Sequence, residues 1–392
     1  MVLELNPQQR DAVKKSVKWL KKGTEQLFEI TGPAGSGKTT IIQALVDQTG
    51  LKKDEVLFVA FIGKAAQNLA LKGHNAKTIH STIYVMAEMP KFDEAGNPIL
   101  KNGRAMTYKA FKKKTFLPPN IKLIVLDEAG TVDEKLAKDL LSFDLPVIAL
   151  GDLNQLPPVF GNTPFLKNPD VILTQIMRQA EDSEIIWMSQ QILQGKKIPY
   201  GRYNNSLVIS SDEVTDEMFN GVSMILAGRN QLRDEINDYC RHKILGVDPK
   251  MPITIGDKVV CRRNNWQKYI DTGDNQIYLI NGMVGFIEEV HLDTYKPGTI
   301  EVDFRPDFLS QQMYRFLKLD LDYFHTPCAS QFEGYSYFEQ FQLAYAISVH
   351  LSQGSQYDSI LYYKDRHSTS DYQKRLDYTA LTRAENFLIL VQ

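Results

Sequence analysis

The stretch Gly32-Pro-Ala-Gly-Ser-Gly-Lys-Thr39 decides the fold class that this sequence predicts. It follows the short apolar run Leu27–Ile30 and precedes a helical pattern over Thr39–Gln48. Glycines at this spacing let backbone N–H groups approach phosphate closely. Lys38 can reach the β- and γ-phosphates, and the Thr39 hydroxyl can ligate Mg²⁺. Kinases and many GTPases carry the same loop, so it predicts nucleotide binding without specifying a reaction.

Further apolar runs place this loop in an α/β fold. Val56–Ala60, Leu123–Leu126 and Val147–Leu150 are short, carry few charges and end at polar residues, as buried parallel strands do. A helical pattern at Lys64–Leu71 lies between two of them. Strand–helix alternation of this kind predicts a parallel sheet covered by helices on both faces. A second α/β region begins near residue 221.

Two stretches interrupt this alternation and predict inserts. Residues 82–118 contain KFDEAGNPILKNG, which predicts a small hairpin around a Gly-Asn-Pro turn. Residues 256–302 contain alternating strand patterns with glycine turns, which predict a small β-barrel. We therefore expect a first unit over 1–180 that contains the 82–118 insert, a second unit over 181–255 and 341–392, and an insert over 256–340.

The composition excludes several classes of protein. Of 392 residues, 43% are hydrophobic and 23% charged, which is typical of a folded globular chain. Acidic residues outnumber basic ones by 47 to 45, so a nucleic-acid site must be a local groove rather than a uniformly basic surface. Cys240, Cys261 and Cys328 are scattered, which argues against a zinc site or a disulfide scaffold. The sequence has no apolar leader and no long apolar run, so we expect a cytoplasmic protein without a membrane partner.

Polar residues after the predicted strands supply candidate hydrolytic groups. Asp127 suits the shell of a Mg²⁺ ion, and Glu128 suits a general base for an attacking water. Such a pair is common by chance, but it gains weight downstream of a phosphate loop. Gln155 can hydrogen-bond a γ-phosphate or a water, or it can belong to a polar turn. Arg178 can stabilise charge on a transferred phosphoryl group.

Ten motifs occur in a fixed order between Leu5 and Ala384: LNPQQR, GPAGSGKT, AFIGKAAQNL, KTIHS, LIVLDEAG, GDLNQLPP, LTQIMRQ, AGRN, AYAISVHLSQGSQYD and YTALTRA. The set resembles superfamily 1 DNA helicases of the RecD/Dda-like group. This resemblance implies two RecA-like domains with ATP and Mg²⁺ in the cleft between them. It also implies a β-hairpin insert in the first domain and an SH3-like β-barrel insert in the second. A P-loop kinase would leave HLSQGS and TALTRA unexplained.

The resemblance also assigns roles at the nucleotide. Gln9 matches the glutamine that reads the adenine edge, Gln155 would sense the γ-phosphate, and Arg178 and Arg383 match two arginine fingers from opposite sides of the cleft. The nucleotide-binding set is Gln9, Gly32, Pro33, Ala34, Gly35, Ser36, Gly37, Lys38, Thr39, Thr40, Gln353 and Gly354; the hydrolytic set is Lys38, Asp127, Glu128, Gln155, Arg178 and Arg383; the Mg²⁺ ligands are Thr39 and Asp127.

A path for single-stranded DNA is the second implication. Short polar side chains and backbone amides suit phosphate and sugar contacts, which hold a strand without reading its sequence. An isolated histidine is more often a loop residue with its hydrogen bonds satisfied, but both histidines here lie inside matched motifs. The expected DNA contacts are Phe61, Lys64, Thr78, His80, Asn230, Ser348 and His350.

Two departures from the family pattern bear on coupling and DNA affinity. The family usually has Ser then Met after the acidic triplet, whereas Gly130 and Thr131 follow here, so a coupling hydroxyl is displaced by one residue or lost. The family also often has Lys at the position of Leu351, so one cationic phosphate contact is missing.

The inserts leave alternatives open. Phe92 or Pro98 could be the wedge of a strand-separating pin, or the hairpin could be a solvated ornament. Arg262, Arg263 and Trp266 could form a nucleic-acid groove, or the ring could be barrel core beside a solvated face. The run Lys112–Lys114 most often means only solubility.

We therefore predict an ATP-dependent helicase that moves 5′→3′ on single-stranded DNA, with the polarity resting on the resemblance alone. The alternative is a DNA-stimulated ATPase that acts as an accessory subunit without processive unwinding. Single-stranded and forked duplex DNA are the expected partners, together with a single-strand binding protein or replication and recombination proteins. RNA as the substrate stays open, because no 2′-OH contact can be located in the sequence. A monomer is typical of the group, and the compact length resembles that of phage helicases.

Overall fold

Six parallel strands form the sheet that carries the phosphate loop. Their order across the sheet is Val171–Ile172, Leu27–Thr31, Val147–Gly151, Leu123–Asp127, Val56–Ala60 and Ala76–Thr78. The strands predicted in this region are present and parallel, so the α/β prediction is confirmed. The computed structural model describes residues 5–90, 98–101, 104–158, 161–176, 183–272, 276–291, 298–325, 338–365 and 370–392.

Helices cover both faces of this sheet. Alternate strand residues point to opposite sides, and because both sets are apolar, both faces must be buried. Phe58 and Val125 pack in one apolar cluster, whereas their neighbours Leu57 and Ile124 pack in the other. The helices of this unit are Pro7–Lys22, Lys38–Thr49, Gly63–Leu71, Ile79–Ile83 and Glu134–Leu141, with one-turn 3₁₀ segments at Lys53–Glu55 and Ala129–Thr131.

A second six-stranded sheet follows. Its order is Gly201–Tyr203, Ser206–Ile209, Ala384–Val391, Tyr357–Tyr363, Met224–Ala227 and Ala346–Ser348, and only the first pair is antiparallel. The accompanying helices are Glu184–Leu193, Asp216–Asn220, Asn230–Asp238 and Ser370–Leu381, with a 3₁₀ turn at Ser211–Glu213 and a π-helical stretch at Tyr239–Ile244. The second α/β region predicted from residue 221 onward is therefore present.

In the sequence, an antiparallel sheet of five strands is inserted between two strands of the second sheet, Met224–Ala227 and Ala346–Ser348. Its order is Tyr314–Asp320, Thr299–Pro306, Val284–His291, Lys258–Cys261 and Phe341–Leu343; a separate pair joins Asn265–Asp271 to Gln276–Leu279, and a short helix spans Leu321–His325. The last strand starts at Phe341, where the sequence places the return to the second unit. It pairs with Lys258–Cys261 instead, so the antiparallel sheet extends three residues past that boundary. The division into domains remains a prediction.

A two-stranded arm leaves the first unit after the Ile79–Ile83 helix. Tyr84–Pro90 pairs antiparallel with Thr107–Lys113 over seven residues on each side, and Leu100–Lys101 pairs with Arg104–Ala105. These pairs extend well beyond the segment in which the sequence predicts the turn. Gly96 and Asn97 of that turn lie outside the described residues, as does Phe92, whereas Pro98 is exposed. Among the described residues, no helix is both long and apolar enough to cross a membrane.

Candidate nucleotide site and nucleic-acid groove

The phosphate loop joins the end of one strand to the start of a helix. Gly35 and Gly37 have φ angles of 78° and 77°, in the left-handed region that a side chain rarely adopts. The Lys38 ammonium donates to the carbonyl oxygens of Gly32 at 2.6 Å and Pro33 at 3.0 Å. Its charge is therefore held at the mouth of the loop. The side chain of Thr39 lies outside the described part of the structure, although its backbone begins the helix.

Gln9 lies under the loop rather than open to the cleft. It is fully buried, its Nε2 donates to the Ser36 carbonyl at 3.1 Å, and its Oε1 accepts from the Asn6 N–H at 3.0 Å. Asn6 returns a hydrogen bond to the Gln9 N–H, which caps the first helix. In this arrangement the amide fixes the helix to the phosphate loop. The adenine-reading role remains a prediction.

The acidic pair stands at the carboxyl end of its strand. Burial first, and then the neighbouring Glu128 carboxylate, raise the pKa of Asp127 above its ordinary value. Glu128 adopts φ 51° and ψ 41°, a left-handed conformation that is uncommon outside glycine. Its N–H donates to Asp127 Oδ1 at 2.9 Å, and the Thr131 hydroxyl donates to its carbonyl at 2.7 Å. The backbone strain at Glu128 is thus held by local hydrogen bonds, as is common at functional sites.

The segment 151–158 brings Gln155 to the same edge of the sheet. Gln155 is 7% exposed, and its Oε1 accepts no hydrogen bond from the described residues. A buried acceptor left unpaired costs about 1–3 kcal/mol, so such an atom in a native structure indicates a partner from the cleft. A carbonyl oxygen accepts from a water O–H, whereas a phosphate oxygen has no proton to give.

The second unit contributes Arg383, Gln353 and Gly354. The Arg383 guanidinium is buried and donates to the carbonyls of Thr379 and Ser355 at 3.1 and 3.2 Å. Gln353 donates to the Leu156 carbonyl at 3.2 Å, and the Gly354 carbonyl accepts from Asn68 at 3.3 Å. These last two contacts cross from one unit to the other. Arg178 lies outside the described residues.

These groups meet in one cleft of about 440 Å³ between the two sheets. Its lining comprises Ala34, Gly35, Gly37, Lys38, Thr40, Ala65, Asn68, Leu69, Lys72, Asp127, Glu128, Gln155, Gly354, Ser355, Gln356, Thr382 and Arg383. A cation and a phosphate loop on one wall, two carboxylates at the base and an arginine on the other wall suit a phosphoanhydride with a divalent cation. Gln9 and Gln353 support this cleft from outside its lining.

Sequence reasoning missed the residues that hold the two walls together. The Tyr378 hydroxyl accepts from the Ala34 N–H at 2.8 Å and donates to Asp152 at 2.6 Å. The Thr379 hydroxyl accepts from the Leu156 N–H at 3.0 Å. These residues lie inside GDLNQLPP and YTALTRA, so the motifs themselves were the available signal.

A second depression, of about 520 Å³, separates the first unit from the antiparallel insert. Thr78 and His80 line it, opposite Tyr278 and Ile280 of the insert. The His80 ring lies 6.3 Å from the Phe111 ring at the base of the hairpin. Burial lowers the pKa of His80, so the ring is neutral at pH 7. We call this depression the aromatic groove.

Phe61 reaches the aromatic groove through His80, whose ring centroid lies 6.0 Å from its own. Lys64 does not: its ammonium sits 4.9 Å above the Tyr357 ring, in a separate cleft of about 770 Å³. Asn230, Ser348 and His350 are on the second unit and do not line the groove. Asn230 accepts from Arg233, Ser348 from the Leu351 N–H, and His350 pairs with the Tyr372 hydroxyl at 2.9 Å.

The remaining sequence features have structural uses. Lys114 donates to the carbonyls of Ser81 and Thr82 at 2.9 and 2.7 Å, so this lysine anchors the hairpin and is more than a solubilising charge. Leu351 packs against the core of the second unit, where a cationic side chain is often found in the family. Arg262 and Arg263 are half-buried, and the Trp266 side chain lies outside the described part.

Comparison with known proteins agrees with this geometry. The family described as AAA domain matches residues 4–210, and the family described as UvrD-like helicase C-terminal domain matches residues 343–391. The chain belongs to the RecD/Dda-like superfamily 1 helicases. This helicase-family chain is 24% identical over 377 residues to the ATP-dependent RecD2 DNA helicase of Deinococcus radiodurans, covering 92% of this chain and 46% of the relative. It is 26% identical over 309 residues to the ATP-dependent DNA helicase Dda of Enterobacteria phage T4, covering 68% and 64%.

Solved structures show the same fold for this RecD/Dda-like chain. A Bacteroides Pif1 helicase in complex with ADP-AlF3 and single-stranded DNA superposes with a TM-score of 0.54 at 19% identity, covering 99% of this chain and 92% of that one. A structure of two coordinating Pif1 helicases at forked duplex DNA gives 0.55 at 20% identity, covering 98% and 92%. This chain spans less than half the length of the RecD2 relative, so the whole activity of that relative does not transfer directly.

Proposed function

We propose that this chain is an ATP-dependent DNA helicase that uses Mg²⁺-dependent ATP hydrolysis to move 5′→3′ along single-stranded DNA. One observation carries the proposal: Arg383 of the second unit faces Lys38, Asp127 and Glu128 of the first across a single cleft. A catalytic site split between two bodies couples hydrolysis to their relative motion, because the arginine stabilises transferred charge only when the cleft is closed.

In the proposed chemistry Lys38 binds the β- and γ-phosphates and Glu128 takes the proton of the attacking water. Gln155 Oε1 orients that water by accepting a hydrogen bond from its other O–H group, which satisfies the acceptor left unpaired by the described residues. The Asp127 carboxylate offers the hard oxygen that Mg²⁺ prefers, and a cation there would offset the burial and the neighbouring Glu128 charge that raise the pKa of this group. Thr39 and Asp127 would hold the ion, which neutralises charge on the phosphates when bound.

For the strand we propose a path through the aromatic groove. Its rings at His80, Tyr84 and Phe111 form a connected cluster, with centroid separations of 5.6–6.3 Å. Stacked rings bind bases with little sequence preference, because every base has a π-face. Lys114 lies beside them and offers a positive charge to the backbone. The second-unit residues Asn230, Ser348 and His350 would continue the path outside the groove.

The two inserts take complementary roles in this proposal. The paired arms of Tyr84–Pro90 and Thr107–Lys113 belong to a strand-separating pin, and the five-stranded antiparallel sheet is an SH3-like barrel. The separate strand Gln276–Leu279 lines the groove opposite the first unit. Two close approaches of glycine backbone support the position of the insert: a Cβ added at Gly63 would lie 2.8 Å from Ile280 of the insert, and one added at Gly282 would lie 3.8 Å from Leu351. The insert is therefore packed against both units at once.

The first test of this proposal measures steady-state ATPase with and without single-stranded DNA. We expect strong stimulation, and we expect Lys38→Ala to abolish turnover while Lys22→Ala, which removes an exposed lysine from the end of the first helix, has no effect. Turnover that ignores DNA, or that survives Lys38→Ala, would contradict the proposal.

The aromatic groove is tested by two phenylalanines that differ in position. Phe111 lines the groove, whereas Phe116, 77% exposed, does not. Stacking contributes about 1–3 kcal/mol per base, so Phe111→Ala should weaken binding of labelled oligothymidylate by about 5- to 140-fold. Phe116→Ala should leave it unchanged. Equal losses in the two variants would place the strand elsewhere, and a preference for oligouridylate would change the substrate to RNA.

A further inference from the structure

The Tyr378 hydroxyl joins three segments of the nucleotide site. It accepts a hydrogen bond from the Ala34 N–H of the phosphate loop at 2.8 Å and donates one to Asp152 Oδ2 at 2.6 Å. Tyr378 itself belongs to the Ser370–Leu381 helix of the second unit. One hydroxyl therefore uses both its acceptor and its donor capacity across the boundary between the two units.

Burial makes both hydrogen bonds costly to lose. Tyr378 is 1% exposed and Asp152 is 3% exposed. Burial, followed by the Asp152 carboxylate, raises the pKa of Tyr378 far above its ordinary value, so the hydroxyl keeps its proton and remains a donor. The second Asp152 oxygen accepts from the Asn154 N–H at 2.9 Å, which leaves Tyr378 as the described partner of Oδ2.

Each end of this bridge leads to a hydrolytic residue. Asp152 begins the turn that presents Gln155, whose N–H donates to the Asp152 carbonyl at 3.3 Å. Tyr378 lies five residues before Arg383, which follows the end of this helix, and the Arg383 guanidinium donates to the carbonyl of Thr379, the residue after Tyr378. The hydroxyl thus fixes the phosphate loop, the glutamine turn and the arginine in one geometry.

We propose that Tyr378 is a positioning residue that sets Arg383 and Gln155 against the phosphate loop through its bridge between Ala34 and Asp152. The inference rests on the proposed ATPase and extends it to a residue that touches no substrate. Since the bridge spans both units, it forms only when they are docked, and breaking it selectively weakens the docked arrangement in which hydrolysis occurs.

Tyr362, a second buried tyrosine of the same unit that also donates to a carboxylate, provides the control. Tyr362 is fully buried, and its hydroxyl donates to Asp377 at 2.7 Å, yet this pair lies within the second unit and does not reach the phosphate loop. Tyr378→Phe and Tyr362→Phe each remove one hydroxyl from a buried carboxylate while keeping the ring. Only the first removes a contact between the units.

The experiment compares both variants in the full chain by DNA-stimulated ATPase kinetics and by binding of ADP with and without aluminium fluoride. Tyr378→Phe should lower kcat about tenfold, the effect of about 1.4 kcal/mol, while the KM for ATP changes less than about threefold. Affinity for ADP–aluminium fluoride should fall by the same factor as kcat, whereas affinity for ADP alone should not. Tyr362→Phe should keep kcat within about twofold, although both lose thermal stability.

The outcomes separate this inference from the proposed function. A wild-type chain without DNA-stimulated ATPase would overturn the proposed function itself. An active wild type with equal kcat in Tyr378→Phe, or an equal loss in Tyr362→Phe, would overturn only the positioning role. Should Tyr378→Phe fail to fold, Asp152→Asn tests the same bridge: it keeps the shape, but its single oxygen cannot accept from both Tyr378 and the Asn154 N–H, and it should show the same selective loss of kcat. Unchanged kcat in that variant would refute the bridge.

Discussion

Gly354 offers the sharpest test of how the two units dock. It adopts φ 69°, and a Cβ built on it would lie 2.8 Å from the Cβ of Ala65 on the opposite wall of the cleft. Ordinary contacts begin near 3.4 Å, so Gly354→Ala forces the walls apart by several tenths of an ångström. The left-handed backbone adds about 1–2 kcal/mol of strain for any residue with a Cβ, whether or not the units are docked.

Gly246 separates these two effects. Its φ is also 69°, but nothing lies within 4 Å of a Cβ built there. Gly246→Ala should therefore lower the free energy of unfolding only by this strain energy, and its ATPase activity should not change. Gly354→Ala should lower the free energy of unfolding by a similar amount. In addition, overpacking should weaken the docking of the two units by about 1–3 kcal/mol. That docking loss corresponds to a kcat/KM about 5- to 140-fold lower, at about 1.4 kcal/mol per tenfold.

The assay is steady-state ATPase at saturating single-stranded DNA, paired with thermal unfolding of the same samples. A compensating change sharpens it: Ala65→Gly removes the atom that Gly354→Ala would strike, so the double variant should regain most of its kcat/KM. Its nearest remaining contacts, the Ala65 N at 3.5 Å and Cα at 3.6 Å, are ordinary. Equal ATPase in the two alanine variants, or no recovery in the double variant, would refute the docking argument.

Three further predictions follow from the site. Arg383→Ala should lower kcat by about 10³ with little change in DNA affinity, as loss of an arginine finger does, and a change confined to DNA binding would move that arginine out of the site. Gly130→Ser should be tolerated, because a Cβ there would meet only Asp152 O at 3.6 Å and Leu166 at 4.0 Å; a melting temperature several degrees lower would contradict this. Folding stability should fall as the pH drops through about 6.5, because burial lowers the pKa of His80 and the unfolded chain takes up the proton first. His80→Asn should flatten that decline in denaturant titrations, with His74 supplying a remaining part in the same direction.

Local patterns in the sequence were enough to predict the α/β fold and the phosphate loop. Leu123–Asp127 illustrates why: a strand that is buried on both faces is apolar at nearly every position, so the apolar run in the sequence is enough to predict it. The predicted insert, 82–118, contains both described arms, but the position of the arms within it was harder to predict. Its described arms, Tyr84–Pro90 and Thr107–Lys113, lie outside the segment with the strongest turn signal. The lysines of the second arm resemble a solvated charge run in the sequence, so the pattern there does not indicate a strand.

The cross-cleft contacts could not be predicted in this way, because they depend on how two sheets sit against each other. Tyr378 looks like a core tyrosine of its helix, and only the docked arrangement brings its hydroxyl to Ala34. Lys64 likewise depends on docking: its motif predicts a contact with DNA, which remains a prediction, while its ammonium faces the Tyr357 ring of the second unit. The left-handed backbone of Glu128 is also invisible in sequence, since nothing in an acidic pair indicates a positive φ.

Strand displacement on two matched duplexes tests the central claim most directly. One duplex carries a 5′ single-stranded tail and the other a 3′ tail of the same length and composition, each with ATP and Mg²⁺ and with Lys38→Ala as the control. We predict that the wild-type chain unwinds the 5′-tailed duplex alone and that the variant unwinds neither. Preference for the 3′ tail would contradict the proposed direction, and DNA-stimulated ATPase without displacement of either duplex would contradict the helicase assignment.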